Sequence, residues 1–203
     1  MALATYTELQ SAIGDFLNRE DLSAVIPTFI RMAESRIDRE VRHWRQEKRS
    51  VAALDAQYSA LPGDFLQPIR LQITDGPTSD VTPLSTAQML QMRYDRGDLP
   101  GRPVHYAVTA ASLEMYPTPD APYNSELVYH GRVTPLSATD PVNWLLTEAP
   151  DVYLYGALVH SAPYLKDDAR IQIWEALFAQ GISNLNMSSD AAKWGGSGLV
   201  IRT

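Results

Sequence analysis

The sequence predicts an α+β fold in which terminal helical hairpins form a bundle and an antiparallel β-domain is inserted between them. Three observations predict it. Apolar residues recur every three or four positions near both ends, which is the period of a helix packed on one side. In the middle they alternate or fall in short apolar runs, which is the strand signal. Many of the 14 prolines and 10 tyrosines also lie in the middle third, as expected of strands joined by fixed turns. On this reading residues 1–49 and 136–193 build the bundle, and 50–135 build the β-domain with one short helix. Residues 194–203 form a flexible C-terminal tail.

The first helix is predicted over residues 5–18. Tyr6, Leu9, Ile13, Phe16 and Leu17 share a stripe, and Thr5 or Thr7 caps the start. Asn18, Arg19, Glu20 and Asp21 make a polar turn. A second helix runs over 27–49 and packs against the first as a hairpin. Ile30, Ala33, Ile37, Val41 and Trp44 form its apolar stripe, and Pro27 suits its first turn. A charged stripe, roughly 120° away at about 100° per residue, carries Arg31, Arg42, Arg45 and Arg49, with Arg39 at its edge.

Strands are expected over 51–58 and 68–74, separated by the turn chemistry of Pro62-Gly63-Asp64. In the second of these Ile69, Leu71 and Ile73 face one way and Arg70 and Gln72 the other. Asp75-Gly76-Pro77 turns the chain into a short return strand over 81–84, which Pro83 confines to an edge. Ser85 caps a helix through Tyr94, with Ala87, Leu90 and Tyr94 facing inward. Residues 96–103 form a loop. Strands follow over 104–109, 112–116 and 125–133, the first two joined as a hairpin by Ala110-Ala111. The sheet is expected to hold about five strands.

Helical spacing returns with a short turn over 143–146. A longer helix begins at Pro150, with Leu154, Ala157, Leu158, Ser161 and Leu165 on one stripe. Asp167 or Asp168 caps a last helix, whose apolar side is Ile171, Trp174, Leu177, Phe178, Ile182 and Leu185. The tail sets Gly195, Gly196, Ser197 and Gly198 before Leu199, Val200 and Ile201. Such a hinge is flexible. The apolar end either frays or folds back onto its own subunit, or docks on a neighbour by strand addition.

The chain has 203 residues, 45% hydrophobic and 20% charged, which suits one sizeable core or two small ones. Its net charge of −7 argues against a general nucleic-acid binder. Yet seven of the 17 basic residues fall between 31 and 49 beside four acids, so that stretch is +3 and the remainder −10. This concentration marks Arg31, Arg39, Arg42, Arg45 and Arg49, with Leu199, Val200 and Ile201, as candidate partner or subunit contacts. The alternative is a solvated helix face, since Glu34, Asp38 and Arg42 stand in i,i+4 steps.

There is no cysteine, which excludes disulfides, a thiolate nucleophile and thiolate zinc sites. The start of the chain lacks the basic and apolar regions of a signal peptide, and no apolar run approaches a membrane span. A soluble protein retained in the cytosol, or built into a particle there, is expected. The four histidines form no HExxH and no close pair with a carboxylate. His160 reads as a core or interface residue, Asp167-Asp168 as a helix-capping turn, and Arg96 and Arg102 as flanks of a surface loop. No phosphate loop and no GxSxG are present. The residues thus disfavour an enzyme, although a pocket built from distant residues leaves no linear mark, and no cofactor or metal is expected.

Several runs taken in order carry a resemblance. They are Ile26-Pro27-x-Phe29-Ile30-x-x-Ala33-Glu34-x-Arg36-Ile37-x-Arg39-Glu40-x-Arg42, then Leu61-Pro62-x-Asp64-Phe65-Leu66, then Gly101-x-Pro103-x-x-Tyr106. Tyr116-Pro117-Thr118-Pro119 follows, then Asn143-x-Leu145-Leu146 and Pro150-Asp151-x-Tyr153-Leu154-Tyr155-Gly156-x-Leu158. Together they resemble the head-to-tail adaptor proteins of tailed bacteriophages. The likeness is closest to those of short-tailed phages and more distant to the tail tubular protein A type. It covers roughly residues 5–190 and rests on packing and turn patterns, not on a chemical site.

The resemblance implies a virion protein with a helical bundle bearing a β-domain and no catalysis. It implies a closed ring, generally of about twelve copies, under the portal and above a tail nozzle or tube. Genomic DNA would pass through the ring without sequence-specific contact. Two other readings remain open: a tail-completion or stopper protein, and a small DNA-contacting protein using the Arg-rich helix. A hydrolase with a site assembled from distant residues is a third.

Overall fold

The computed structural model describes residues 3–97, 99–165 and 169–194. It is an α+β structure. The helices are α1 (Tyr6–Leu17), α2 (Ile26–Glu40), α3 (Thr86–Arg96), α4 (Trp144–Glu148), α5 (Pro150–His160) and α6 (Arg170–Trp194). The strands are β1 (Glu47–Leu54), β2 (Tyr58–Ala60), β3 (Phe65–Ile73), β4 (Ser79–Pro83), β5 (His105–Thr109), β6 (Ser112–Tyr116) and β7 (Tyr123–Gly131). The chain divides into two compact units, Met1–Gln46 with Val133–Thr203, and Glu47–Arg132.

In the first unit α1 opens on a capping box. The Thr5 hydroxyl accepts the Glu8 N–H at 3.3 Å, and the Glu8 carboxylate accepts the Thr5 N–H at 3.1 Å. α5 is apolar on all sides, the mark of a buried helix. Val152, Tyr153, Leu154, Ala157 and Leu158 are all buried. α1, α2, α4 and α6 pack against it. Two glycines let backbones approach closely. A Cβ on Gly156 of α5 would stand 2.8 Å from the Phe178 ring of α6 and 3.1 Å from Ala33 Cβ of α2. A Cβ on Gly181 of α6 would stand 2.7 Å from Val152 Cγ2.

α2 is shorter than its periodicity predicts. It ends at Glu40, and Val41 is extended with ψ 131°. The cause lies on α6. Asn186 Oδ1 accepts the Arg42 N–H at 2.8 Å, Asn186 Nδ2 donates to the Glu40 carbonyl at 3.1 Å, and Ser189 Oγ accepts the Trp44 N–H at 2.9 Å. These bonds replace the next helical turn. A single 3₁₀ turn over Trp44–Gln46 then leads into β1. The expected helix over 27–49 is therefore corrected. Arg42 and Arg45 lie beyond the helix and Arg49 lies on a strand. Trp44, placed on the apolar stripe by spacing, is 42% exposed.

The second unit is a seven-stranded sheet in the order β1-β7-β3-β4-β5-β6-β2. Its edge strands, β1 and β2, are joined by residues 55–57 alone. Such a link spans at most about 14 Å from Leu54 to Tyr58. Seven strands laid flat would set those edges about 29 Å apart. The sheet is therefore rolled, and Leu54, Leu71, Ile73, Val81, Met115 and Leu127 fill its interior.

The expectation of a purely antiparallel domain is also corrected. β4 and β5 pair in parallel, with Thr82 opposite His105. A parallel pair needs a crossover, and α3 supplies it. Pro83 is not on an edge strand, because β4 lies between β3 and β5. It is tolerated because β3 pairs only with Ser79 to Val81, so no ladder bond is lost at residue 83. β3 is irregular where it meets β7. Its register shifts between Pro68 and Arg70, which takes Ile69 out of the alternation and leaves it 44% exposed. α3 turns the other way from the predicted one. Met89 is fully buried against Ala107 and Tyr116, while Leu90 and Tyr94 are 70% and 86% exposed.

Candidate interface surface

α2 sends Ile30, Ala33 and Ile37 into the core and turns Arg31, Ser35 and Arg39 outward. These three stand at i, i+4 and i+8, so they share one face. With Thr28 and Met32 of α2 and His160 of α5 they line a shallow recess of about 260 Å³. Neither Arg31 nor Arg39 makes a hydrogen bond or ion pair among the described residues. His160 Nε2 is buried and has no hydrogen-bond partner among the described residues. Burial lowers the His160 pKa, and the nearby Arg36 guanidinium lowers it further. The imidazole is therefore neutral near neutral pH.

Arg36 lies on the same helix but is fully engaged. Its guanidinium donates to both Glu175 oxygens at 2.8 and 2.5 Å and to Glu40 at 2.8 Å, and it lies 4.6 Å from the Phe178 ring centroid. The bond from Arg36 holds the Glu175 carboxyl below its usual range. This two-pronged contact fastens α2 to α6.

The remaining arginines of the predicted stripe have separate surroundings. Arg42 donates to the carbonyls of Asp38 and Val41 at 2.9 and 2.6 Å, closing the end of α2. Arg45 pairs with Glu148 and lies 4.8 Å from the Trp44 ring centroid. Arg49, on β1, pairs with Glu126 across the ladder to β7, which raises its pKa. Arg31 and Arg39 line one recess together. Leu199, Val200 and Ile201 lie outside the described residues, as do Asp167 and Asp168. Arg102 is engaged too. It donates to the carbonyls of Asp75 and Pro77, each at 2.9 Å, and so pins the turn before β4.

Sequence reasoning missed a buried polar network beside α2. Glu34 accepts the Leu136 N–H at 2.7 Å, and Asp38 accepts the Val133 N–H at 3.2 Å. Asn143 donates to the Tyr153 hydroxyl and to the Thr134 carbonyl, each at 2.7 Å, and accepts the Leu146 N–H at 2.8 Å. Burial raises the pKa values of Glu34 and Tyr153. Perturbed groups of this kind attract attention as catalytic candidates. Here Glu34 and Asp38 accept backbone N–H groups and Tyr153 bonds the side chains of Asn143 and Glu34, so the network fastens residues 133–136 to α2. The i,i+4 spacing of Glu34 and Asp38 was visible, but their partners lie about a hundred residues away.

A larger recess of about 610 Å³ beside α1 is lined by polar residues such as Gln10, Ser11, Asp15 and Asn18. Among the described residues no group of three His, Asp or Glu side chains is placed to hold a metal ion, and no helix is long and apolar enough to cross a membrane.

The family model described as SU10 adaptor protein matches residues 4–201. No curated protein matches the chain.

Proposed function

The chain belongs to the SU10 adaptor protein family, and from that premise we propose that it is one subunit of a ring joining the portal to the tail of a phage particle. The family is one of structural phage adaptors, so the protein is a virion component. The carrying observation is the extent of the match, residues 4–201 of 203. In this reading the terminal helical hairpins act as a rigid bundle, and the partners are like subunits, the portal, and a tail nozzle or tube. Genomic DNA passes through the ring, and a chain of net charge −7 favours passage without retention. The likeness to tail tubular protein A rests on sequence pattern alone.

The proposed contacts are the arginines 31, 39, 42, 45 and 49 and the apolar segment Leu199, Val200 and Ile201. The segment docks on a neighbouring subunit by strand addition. Deleting residues 195–203 then weakens ring formation while leaving thermal unfolding unchanged. Equal ring formation by the truncated chain would remove the segment from the interface. The alternative of a DNA-contacting Arg helix is less favoured, because α2 stops at Glu40 and Arg42, Arg45 and Arg49 lie beyond it.

Light scattering of the purified chain, alone and with portal particles, tests the adaptor reading. A discrete ring or stoichiometric binding to portals is expected. A monomer that ignores portals overturns it.

A further inference from the structure

The arginines between residues 31 and 45 fall into two groups. Arg36 and Arg45 are held by carboxylates of their own subunit, and Arg42 by backbone carbonyls. Arg31 and Arg39 are exposed and face the same open space. Their Cα atoms are separated by about 12 Å along the helix axis, within reach of one ligand lying over Ser35. The floor is Met32, 46% exposed, together with the neutral ring of His160. Thr28 and Ser35 add hydroxyl donors, and the partnerless His160 Nε2 adds a buried nitrogen.

We propose that this recess is a carboxylate-binding docking site, occupied by acidic side chains of a second copy of this chain. The proposal rests on the adaptor reading and names the contact that such a ring uses. Guanidinium groups bind carboxylates through a two-pronged donor geometry, and the apolar floor suits the methylene part of an Asp or Glu side chain.

A nucleic acid fits the site less well. Two unpaired cations release few counterions, giving a log–log salt slope of only about −1.8. That is too small to hold DNA on a chain of charge −7.

Charge complementarity points to a second copy. The chain carries 24 acidic residues against 17 basic ones. Arg19, Arg36, Arg45, Lys48, Arg49 and Arg93 are already paired within the chain. Asp15, Asp55, Asp151 and Asp190 are exposed and carry no ion pair among the described residues. Any second copy therefore presents unpaired carboxylates. The recess cannot mate with itself across a two-fold axis, because cation would face cation. The contact must join two different faces, and such heterologous contacts generate rings or filaments.

The test compares the full-length chain with R31E/R39E and with the milder R31Q/R39Q, by sedimentation over a range of concentration and salt. Wild type is expected to self-associate, more weakly as salt rises. Both variants should associate at least about tenfold more weakly, with unchanged circular dichroism and melting. Self-association that both variants retain overturns the proposal. If wild type stays monomeric and the variants lose only portal binding, the occupant is the portal; the second-copy assignment falls and the adaptor reading stands. If the variants change only retention on duplex DNA, the occupant is nucleic acid and the proposal falls. A wild-type chain that neither self-associates nor binds portals removes the adaptor reading together with the proposal.

Discussion

Gly156 lies directly under the ring of Phe178. A Cβ added to Gly156 would sit 2.8 Å from Phe178 Cε2, with Ala33 Cβ at 3.1 Å on the far side. Phe178 is fully buried, so its ring has no free space to enter. Gly156→Ala gains about 1 kcal/mol of helix propensity but overpacks this three-helix contact at a cost of about 1–3 kcal/mol. The expected outcome is a lower urea midpoint with an unchanged slope. Gly63→Ala is the control, since nothing lies within 4 Å of a Cβ there. An equal loss at both sites would show that close packing is not the reason for Gly156.

The end of α2 depends on α6. Ser189 is fully buried, and its hydroxyl oxygen accepts the Trp44 N–H. Ser189→Ala leaves that donor without its partner, at a cost of about 1–3 kcal/mol. Asn186→Ala removes both an acceptor and a donor, so its loss should be at least as large. Faster amide exchange at Trp44 and Arg42 in the respective variants would check the assignment. If exchange at these amides is unchanged, the side chains of α6 do not end the helix.

α3 offers a sharper contrast. Met89 is fully buried and Leu90, its neighbour, is 70% exposed. Met89→Ala is expected to cost about 2–5 kcal/mol. The double variant L90Q/Y94Q should stay within about 0.5 kcal/mol of wild type. Chemical denaturation of the three proteins decides it, and the reverse ranking would restore the face that spacing predicts.

These cases show how far residue patterns reach. The helical period marks α1 and α6, and the alternation around Leu71 and Ile73 marks β3, because both signals come from neighbours in sequence. The end of α2 was not legible, since its period runs on through Val41 and Trp44 while the groups that stop it sit near residue 186. The facing of α3 was not legible either. It has apolar residues on two sides, and only β5 and β6 select Met89. The parallel pairing of β4 with β5 depends on which strand lies alongside, which local spacing does not encode. At the candidate surface the abundance of arginine was visible, but the division into paired and unpaired groups was not. Arg36 meets Glu175 across 139 positions of sequence, and Arg31 makes no hydrogen bond or ion pair among the described residues.

Two glutamates on this framework titrate with opposite consequences. Burial raises the Glu34 pKa above the ordinary 4.5, although the Leu136 N–H acts against the rise. In the interval between the ordinary and the raised value the folded state binds more protons than the unfolded state. Stability therefore falls there as pH rises. Glu175 is the reverse. The hydrogen bond from Arg36 lowers its pKa, so its contribution is present above the ordinary value and is lost as pH falls through the folded one. Glu34→Gln keeps an oxygen acceptor for the Leu136 N–H and cannot ionise. Its stability relative to wild type should rise as pH climbs from 4 to 7, to parity or better. Glu175→Gln should show its largest deficit near neutrality and lose that deficit in acid. Urea midpoints of the three proteins across that range measure both differences. Parallel curves for the two variants would mean that burial at Glu34 and pairing at Glu175 do not set their titration.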